Sequence, residues 1–319
     1  MKATSGTPST AWILAGVAAG CLLAVYAPLA RGFLDTITWL VMAFMVLCVV
    51  LSLPLLSAGK AIQAPRVMVG LLVINLAVVP VIAFVLSRVV WQIPELQVGL
   101  LLVLLAPGVG LALNTAFAAG GDLDSVLAAT PILLVGQLVA VPLYTIGLTG
   151  GVLDFSDLPP TFVVIAAVIV APSLLAVVIQ ALAKPVRGFV VVRRGLTNLA
   201  VPSIAVGTAL VVWGRLPDQI DRIEQFSRLA PLFISFLVLI APLALLVGIL
   251  ASLTQPQKRA MMIVGAGRGG IIMLPITLAL DSEMWGLVPL VVVLQLTIEV
   301  LGLMVFRSIV PEIVPTWGR

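Results

Sequence analysis

Apolar runs of about twenty residues recur along the whole chain, and this confines it to very few folds. Ten such runs, at approximately 11–30, 37–57, 67–88, 96–119, 125–149, 161–183, 196–213, 229–253, 260–280 and 285–306, are separated by short charged or Pro/Gly-rich breaks. At about 1.5 Å per residue, each run is long enough for a helix to cross a hydrocarbon layer about 30 Å thick. Strands of a membrane barrel would alternate polar and apolar residues, and these runs do not. With 62% of the 319 residues hydrophobic and 9% charged, no stretch is left for a soluble domain. The expectation is an all-α polytopic membrane protein with ten transmembrane helices, a single transmembrane unit over residues 1–319.

The first run, Ala11 to Ala30, is longer than the roughly 7–15 residues of a signal h-region and is preceded by Lys2 alone, so a retained first span is expected. Orientation follows from the basic residues. With the N-terminus inside, eleven of them fall on the cytoplasmic side, including Lys60, Arg66, Lys184, Arg187, Arg193, Arg194 and Arg307. Five fall outside: Arg31, Arg88, Arg215, Arg222 and Arg228. The positive-inside rule then places both termini in the cytoplasm of a cell (inner or plasma) membrane, which an even number of spans permits. The 17 basic and 13 acidic residues call for no nucleic-acid partner; membrane lipid is the expected surrounding. Cys21 and Cys48 lie in apolar runs and His is absent, so neither a disulfide framework nor a metal site is expected. No acid, base or nucleophile set can be assigned within the spans, and an enzyme is not expected.

Two runs are broken internally, by Ala106-Pro107-Gly108-Val109-Gly110 and by Gly265-Ala266-Gly267-Arg268-Gly269-Gly270. Their surroundings match in order and spacing. Gly108 precedes Asp122 by 14 residues, as Gly267 precedes Asp281, and Pro131 precedes Gln137 by six, as Pro289 precedes Gln295. The spacing predicts two repeats of five helices, about 11–149 and 161–306. Five being odd, the repeats are inverted, with interrupted helices 4 and 9 crossed near the midplane. There the glycines tolerate unwound backbone, and half-helix N-termini present free N–H groups.

Arg268 and Glu299 are the charged residues inside the runs, where a lone charge costs roughly 2.5–3.5 kcal/mol even on the lenient insertion scale. Either Arg268 anchors an anionic substrate and Glu299 carries a proton, or the two form a permanent ion pair tying spans 9 and 10. Candidate substrate-binding residues are Pro107, Gly108, Val109, Gly110, Asn114, Thr115, Gly267, Arg268 and Gly269. Glu299, Gln137 and Gln295 are candidates for ion coupling, with interhelical hydrogen bonding the competing role for the two glutamines and for Asn114 and Thr115. Asp122 and Asp124 are expected to begin the fifth helix as N-cap and first-turn acid.

The stretch Ala106-Pro107-Gly108 through Gly120-Gly121-Asp122-Leu123-Asp124, then Ala128-Ala129-Thr130-Pro131 and Gln137, resembles the crossover region of the bile acid:sodium symporter superfamily. It is most similar to the arsenite-efflux branch, as is Gln295-Leu296-Thr297-Ile298-Glu299-Val300 with Arg307 and Pro311 after it. The resemblance implies a core domain and a panel domain, two helices crossing in the core, and alternating access by elevator-like or rocking movement. Gly108 stands where arsenite-efflux members carry a cysteine. The expected function is secondary active transport of a small anion, an organic acid or oxyanion, with H⁺ or Na⁺ as coupling ion and no cofactor. The alternatives are a sodium-coupled bile-acid-like symporter, an arsenite-type carrier without the usual cysteine, and a receptor or structural subunit on the same fold.

Overall fold

A computed structural model of the protein describes residues 7–27, 31–53, 64–108, 110–150, 165–280 and 282–315. Val109 and Asp281, both singled out in the sequence, lie outside the described residues. In chain order the helices are α1 (Thr7–Tyr26), α2 (Arg31–Ser52), α3 (Pro65–Val73), α4 (Val79–Ser87), α5 (Pro94–Leu105), α6 (Leu111–Ala118), α7 (Leu123–Thr149) and α8 (Ala171–Leu182). They continue with α9 (Arg187–Asn198), α10 (Ala200–Arg215), the single turn α11 (Ile223–Phe226), α12 (Leu229–Leu250), α13 (Gln255–Ala266), α14 (Gly270–Leu278), the turn α15 (Ser282–Trp285) and α16 (Val288–Ile313). Among the described residues there is no strand.

Local chemistry sets many of these boundaries. Proline, whose missing N–H costs nothing in a first turn, opens α3, α5, α8, α13 and α16. Asp122 caps α7 by accepting from the Ser125 backbone N–H, with Asp124 in the first turn, as expected. Thr254 and Gln257 form a capping box on α13. Between α3 and α4 the helix widens into a π turn, Ile74–Val78. Pro80 has no N–H to offer the Leu76 carbonyl, which accepts instead from the Tyr144 hydroxyl of α7 at 2.7 Å.

Among the described residues six helical segments are long and apolar enough to cross a membrane, and eight if the bent pairs α7 and α9–α10 each count as one; Pro94–Leu105 and Ala167–Leu182 are shorter apolar helices. The protein is a multi-pass, all-helical membrane protein. These segments do not by themselves show the ten spans expected from the sequence, and the breaks explain part of the difference. The run at 96–119 is divided into α5 and α6. Of the run at 161–183, residues 161–164 lie outside the described residues. The expected loop before 196 is the helix α9, which buries no residue and meets α10 at a bend of 42°. Its Arg187, Arg193 and Arg194 alternate with Phe189 and a valine run, which suits a helix lying at a membrane interface.

The helices pack in two groups. In one, α1 lies along α10 at Gly16 and Gly20, where even a Cβ would overlap or crowd the Ala205 and Ala209 backbone, and α2 and α8–α10 complete the group. In the other, α3–α7 and α12–α16 surround α5, which is buried on every side from Glu95 to Leu105. The groups meet where α16 touches α1 and α10 and where α14 touches α2.

Candidate functional site

The two broken helices touch at their breaks. α5 stops at Leu105 and α6 resumes at Leu111; α13 stops at Ala266 and α14 resumes at Gly270. A Cβ on Gly108 would overlap the Gly267 carbonyl oxygen and lie 2.8 Å from its carbon, and one on Gly267 would overlap the Cβ of Ala112. The main chains therefore cross at a distance that only glycines allow. Gly110 adds a conformational demand, with φ of 94° and ψ of −88° at the N-cap of α6. Pro107 is buried beside them.

Crossing two broken helices brings four half-helix ends to one place: the C-termini of α5 and α13 and the N-termini of α6 and α14. Arg268 serves the C-terminal ends. Its Nη2 donates to the Gly265 carbonyl at 2.5 Å and its Nη1 to the Leu104 carbonyl at 3.4 Å, while the guanidinium lies 5.6 Å from the centre of the Phe236 ring. At 2% exposure it is among the largest fully buried side chains, and its Nε has no hydrogen-bond partner among the described residues. The positive group thus sits on the negative ends of two helix dipoles. Glu299, 3% exposed, accepts from Gln295 Nε2 at 2.7 Å and faces the backbone N–H of Arg268. The guanidinium bonds to main-chain carbonyls rather than to this carboxylate.

The N-terminal ends open onto space. A small cavity of about 70 Å³ is bounded by Gly110, Leu111, Asn114, Arg268, Gly269 and Glu299 on the crossing side, and by Val49, Ser52 and residues of α10 on the other. Leu111 and Asn114 also line a larger cavity of about 410 Å³ between α1, α6 and α16, together with Ser9, Thr10, Thr115, Arg307 and Ser308. The volume lies in the range of ligand pockets, about 300–1,000 Å³. Arg307 is half-buried at its wall and has no hydrogen-bond or ion-pair partner among the described residues. Asn114 is exposed to the cavities, and Thr115 donates back to Leu111 O at 3.0 Å.

The sequence candidates thus fall into two places. Pro107, Gly108, Gly110, Gly267, Arg268, Gly269, Glu299 and Gln295 gather at the crossing, with Asn114 and Thr115 one turn away. Gln137 lies elsewhere: it donates to Asn75 Oδ1 at 3.2 Å, and Asn75 donates to Leu71 O at 2.8 Å beside the π turn. The two glutamines hold different positions despite their matched spacing, since Gln295 lies against Gly270, where a Cβ would come 2.9 Å from its Oε1. That Oε1 is buried without a hydrogen-bond partner among the described residues.

Sequence reasoning missed Arg259, which it counted only among the eleven basic residues on the cytoplasmic side. It is buried and donates to Val314 O at 2.8 Å, Ala119 O at 3.1 Å and Pro311 O at 3.3 Å, closing the C-terminal ends of α6 and α16. It also missed the bidentate pair of Arg222 with the buried Glu95 at the start of α5, at 2.5 and 3.2 Å. Neither residue carries a motif; both bond to groups more than 50 positions away. Among the described residues no three His, Cys, Asp or Glu side chains gather as a metal site.

Residues 39–179 match the Sodium Bile acid symporter family. The matched stretch contains the first break with Asn114, Thr115 and Gln137, and ends before the second break. No curated protein sequence matches the chain.

Proposed function

The chain belongs to the bile acid:sodium symporter superfamily, and from that premise we propose that it is a secondary transporter of a small organic anion or oxyanion, working by alternating access. One observation carries the reading: a cavity of ligand size, with an unpartnered arginine on its wall, shares Leu111 and Asn114 with a smaller cavity at the N-termini of two broken half-helices. Free N–H groups and positive dipole ends at α6 and α14 suit a carboxylate or other oxyanion. Arg307 supplies long-range attraction and a planar donor fork. Asn114 and Thr115 supply neutral donors, and the buried charge of Arg268 lies behind the same ends. Leu111, Val300, Leu303 and Met304 give the cavity an apolar wall for the organic part of the anion.

With both termini cytoplasmic, as the basic residues suggest, the larger cavity faces inward. In this reading the ten spans form two inverted repeats, the interrupted spans being α5–α6 and α13–α14. The seam between the two helix groups is where one would slide or rock past the other, carrying the crossing with it. Protons are the proposed coupling ion, with Glu299, held by Gln295, as the carrier. The experiment is uptake of carboxylates, sulfonates and oxyanions into proteoliposomes under imposed gradients, with Arg307→Ala and Asn114→Ala compared with the parent. A transported anion whose half-saturating concentration rises in both variants supports the reading. A set of anions that all cross no faster than in empty liposomes refutes it and leaves the receptor or structural role.

A further inference from the structure

We propose that Arg268 is a resident cation, which holds by a covalent tether the place that a small mobile cation would otherwise take at the crossing. At the crossing, where Arg268 and Glu299 are both buried, the C-termini of α5 and α13 end against each other. Their last carbonyls carry partial negative charge and lack helical partners. Glu299 adds a carboxylate close by. Carbonyls of unwound half-helix ends, joined by a carboxylate, are the ligand set from which membrane transporters build sites for small cations. In this protein Leu104 O and Gly265 O both accept from the Arg268 guanidinium, and Phe236 covers it. The residue arises within the break itself, between Gly267 and Gly269, so the charge travels with the crossing and never dissociates.

A second cation 4 Å from this one, at an effective dielectric near 20, is disfavoured by roughly a thousandfold in binding. The ends that a coupling ion must neutralise are already neutralised. Arg268 therefore sets ion specificity: it excludes sodium from the crossing and leaves the movement of the anion independent of a sodium gradient. This separates the chain from what its family's name suggests for the coupling ion, while leaving the family's fold unaffected.

The test has two parts, and it rests on the transporter reading in the uptake measurement alone. In proteoliposomes, replacing sodium by choline should change anion uptake by the wild type less than about twofold; loss of uptake in choline overturns the proposal. In the second part, thermal unfolding of purified Arg268→Ala is followed in choline, sodium, lithium and millimolar guanidinium chloride. Vacating the site should lower the unfolding temperature in choline, and sodium, lithium or guanidinium should raise it again, whereas the wild type should respond to none of them. An Arg268→Ala protein as stable as the wild type in choline, or indifferent to all three cations, refutes the assignment. Arg268→Gln, whose amide still reaches a carbonyl, serves if the alanine variant does not fold; should neither fold, a sodium-induced rise in the wild type's own unfolding temperature decides against the proposal and its absence decides for it. Because the thermal measurement reads cation binding directly, it stands even if none of the anions offered is a substrate.

Discussion

If the two broken helices are held in register by main-chain contact, then the crossing should fail in a way that can be repaired on one side and not on the other. Gly267→Ala places a Cβ in overlap with the Cβ of Ala112, and its next neighbours are Glu299 Oε1 at 3.5 Å and the Ala112 Cα at 3.6 Å, both ordinary contacts. Removing the Ala112 methyl therefore removes the clash. Gly108→Ala instead overlaps the Gly267 carbonyl oxygen, with the carbonyl carbon 2.8 Å away, so the breaks must separate by more than the roughly 0.7 Å that would bring that carbon to an ordinary contact, because the oxygen lies closer still. Overpacking of this kind costs about 1–3 kcal/mol, or about 1.5 °C in unfolding temperature per kcal/mol in a chain of this size. Strain of that size falling on one access state shifts its population about 5–150-fold. Thermal unfolding and uptake would be measured for Gly267→Ala, Gly108→Ala, the Ala112→Gly/Gly267→Ala pair, and Gly136→Ala, which meets nothing within 4 Å. The two single crossing variants should lose stability and uptake, and the pair should recover all but the roughly 1 kcal/mol that glycine costs in a helix. Gly136→Ala should behave as wild type or slightly better. A stable, active Gly108→Ala protein, or a pair no better than Gly267→Ala alone, would refute the crossing as drawn.

Arg259→Ala should destabilise the protein by about 3 kcal/mol or more, because three buried carbonyls at the ends of α6 and α16 lose their donor together; denaturation in detergent against the exposed Arg228→Ala measures it. Asp122→Ala should cost about 1 kcal/mol at neutral pH through loss of the α7 cap. Burial works to raise the Asp122 carboxyl, but hydrogen bonds from Ser125, Gln257 and the Asp124 backbone outweigh it and hold it below its ordinary 3.8. Its stabilising effect is therefore complete above that value and lost as the pH falls through the lower folded one, so the gap in unfolding temperature between wild type and variant should close in acid.

Most of what can be read from composition and spacing concerns single elements. The broken runs at 106–110 and 265–270 were legible because glycine and proline interrupt an apolar helix for local reasons, and Asp122 was legible as a cap because a cap is local too. Arg307 was legible only as a loop charge and a family landmark, since nothing in its neighbourhood says that α16 continues to Ile313 and turns it toward Asn114. Gln137 and Gln295 show the limit of repeat reasoning. Equal spacing gave them one expected role, yet one bonds to Asn75 and the other to Glu299, because their neighbours come from helices whose sequences do not repeat.

By itself the sequence determined that this chain lives in a membrane, is helical, and breaks two of its helices, because hydrophobic transfer and backbone hydrogen bonding act residue by residue and leave a periodic trace. Only the tertiary structure decided that the two breaks touch, that Gly108 and Gly267 are the point of contact, and that a buried arginine closes two helix ends rather than facing its nearest carboxylate. Those outcomes depend on distances between segments more than 150 positions apart, and no local propensity records them.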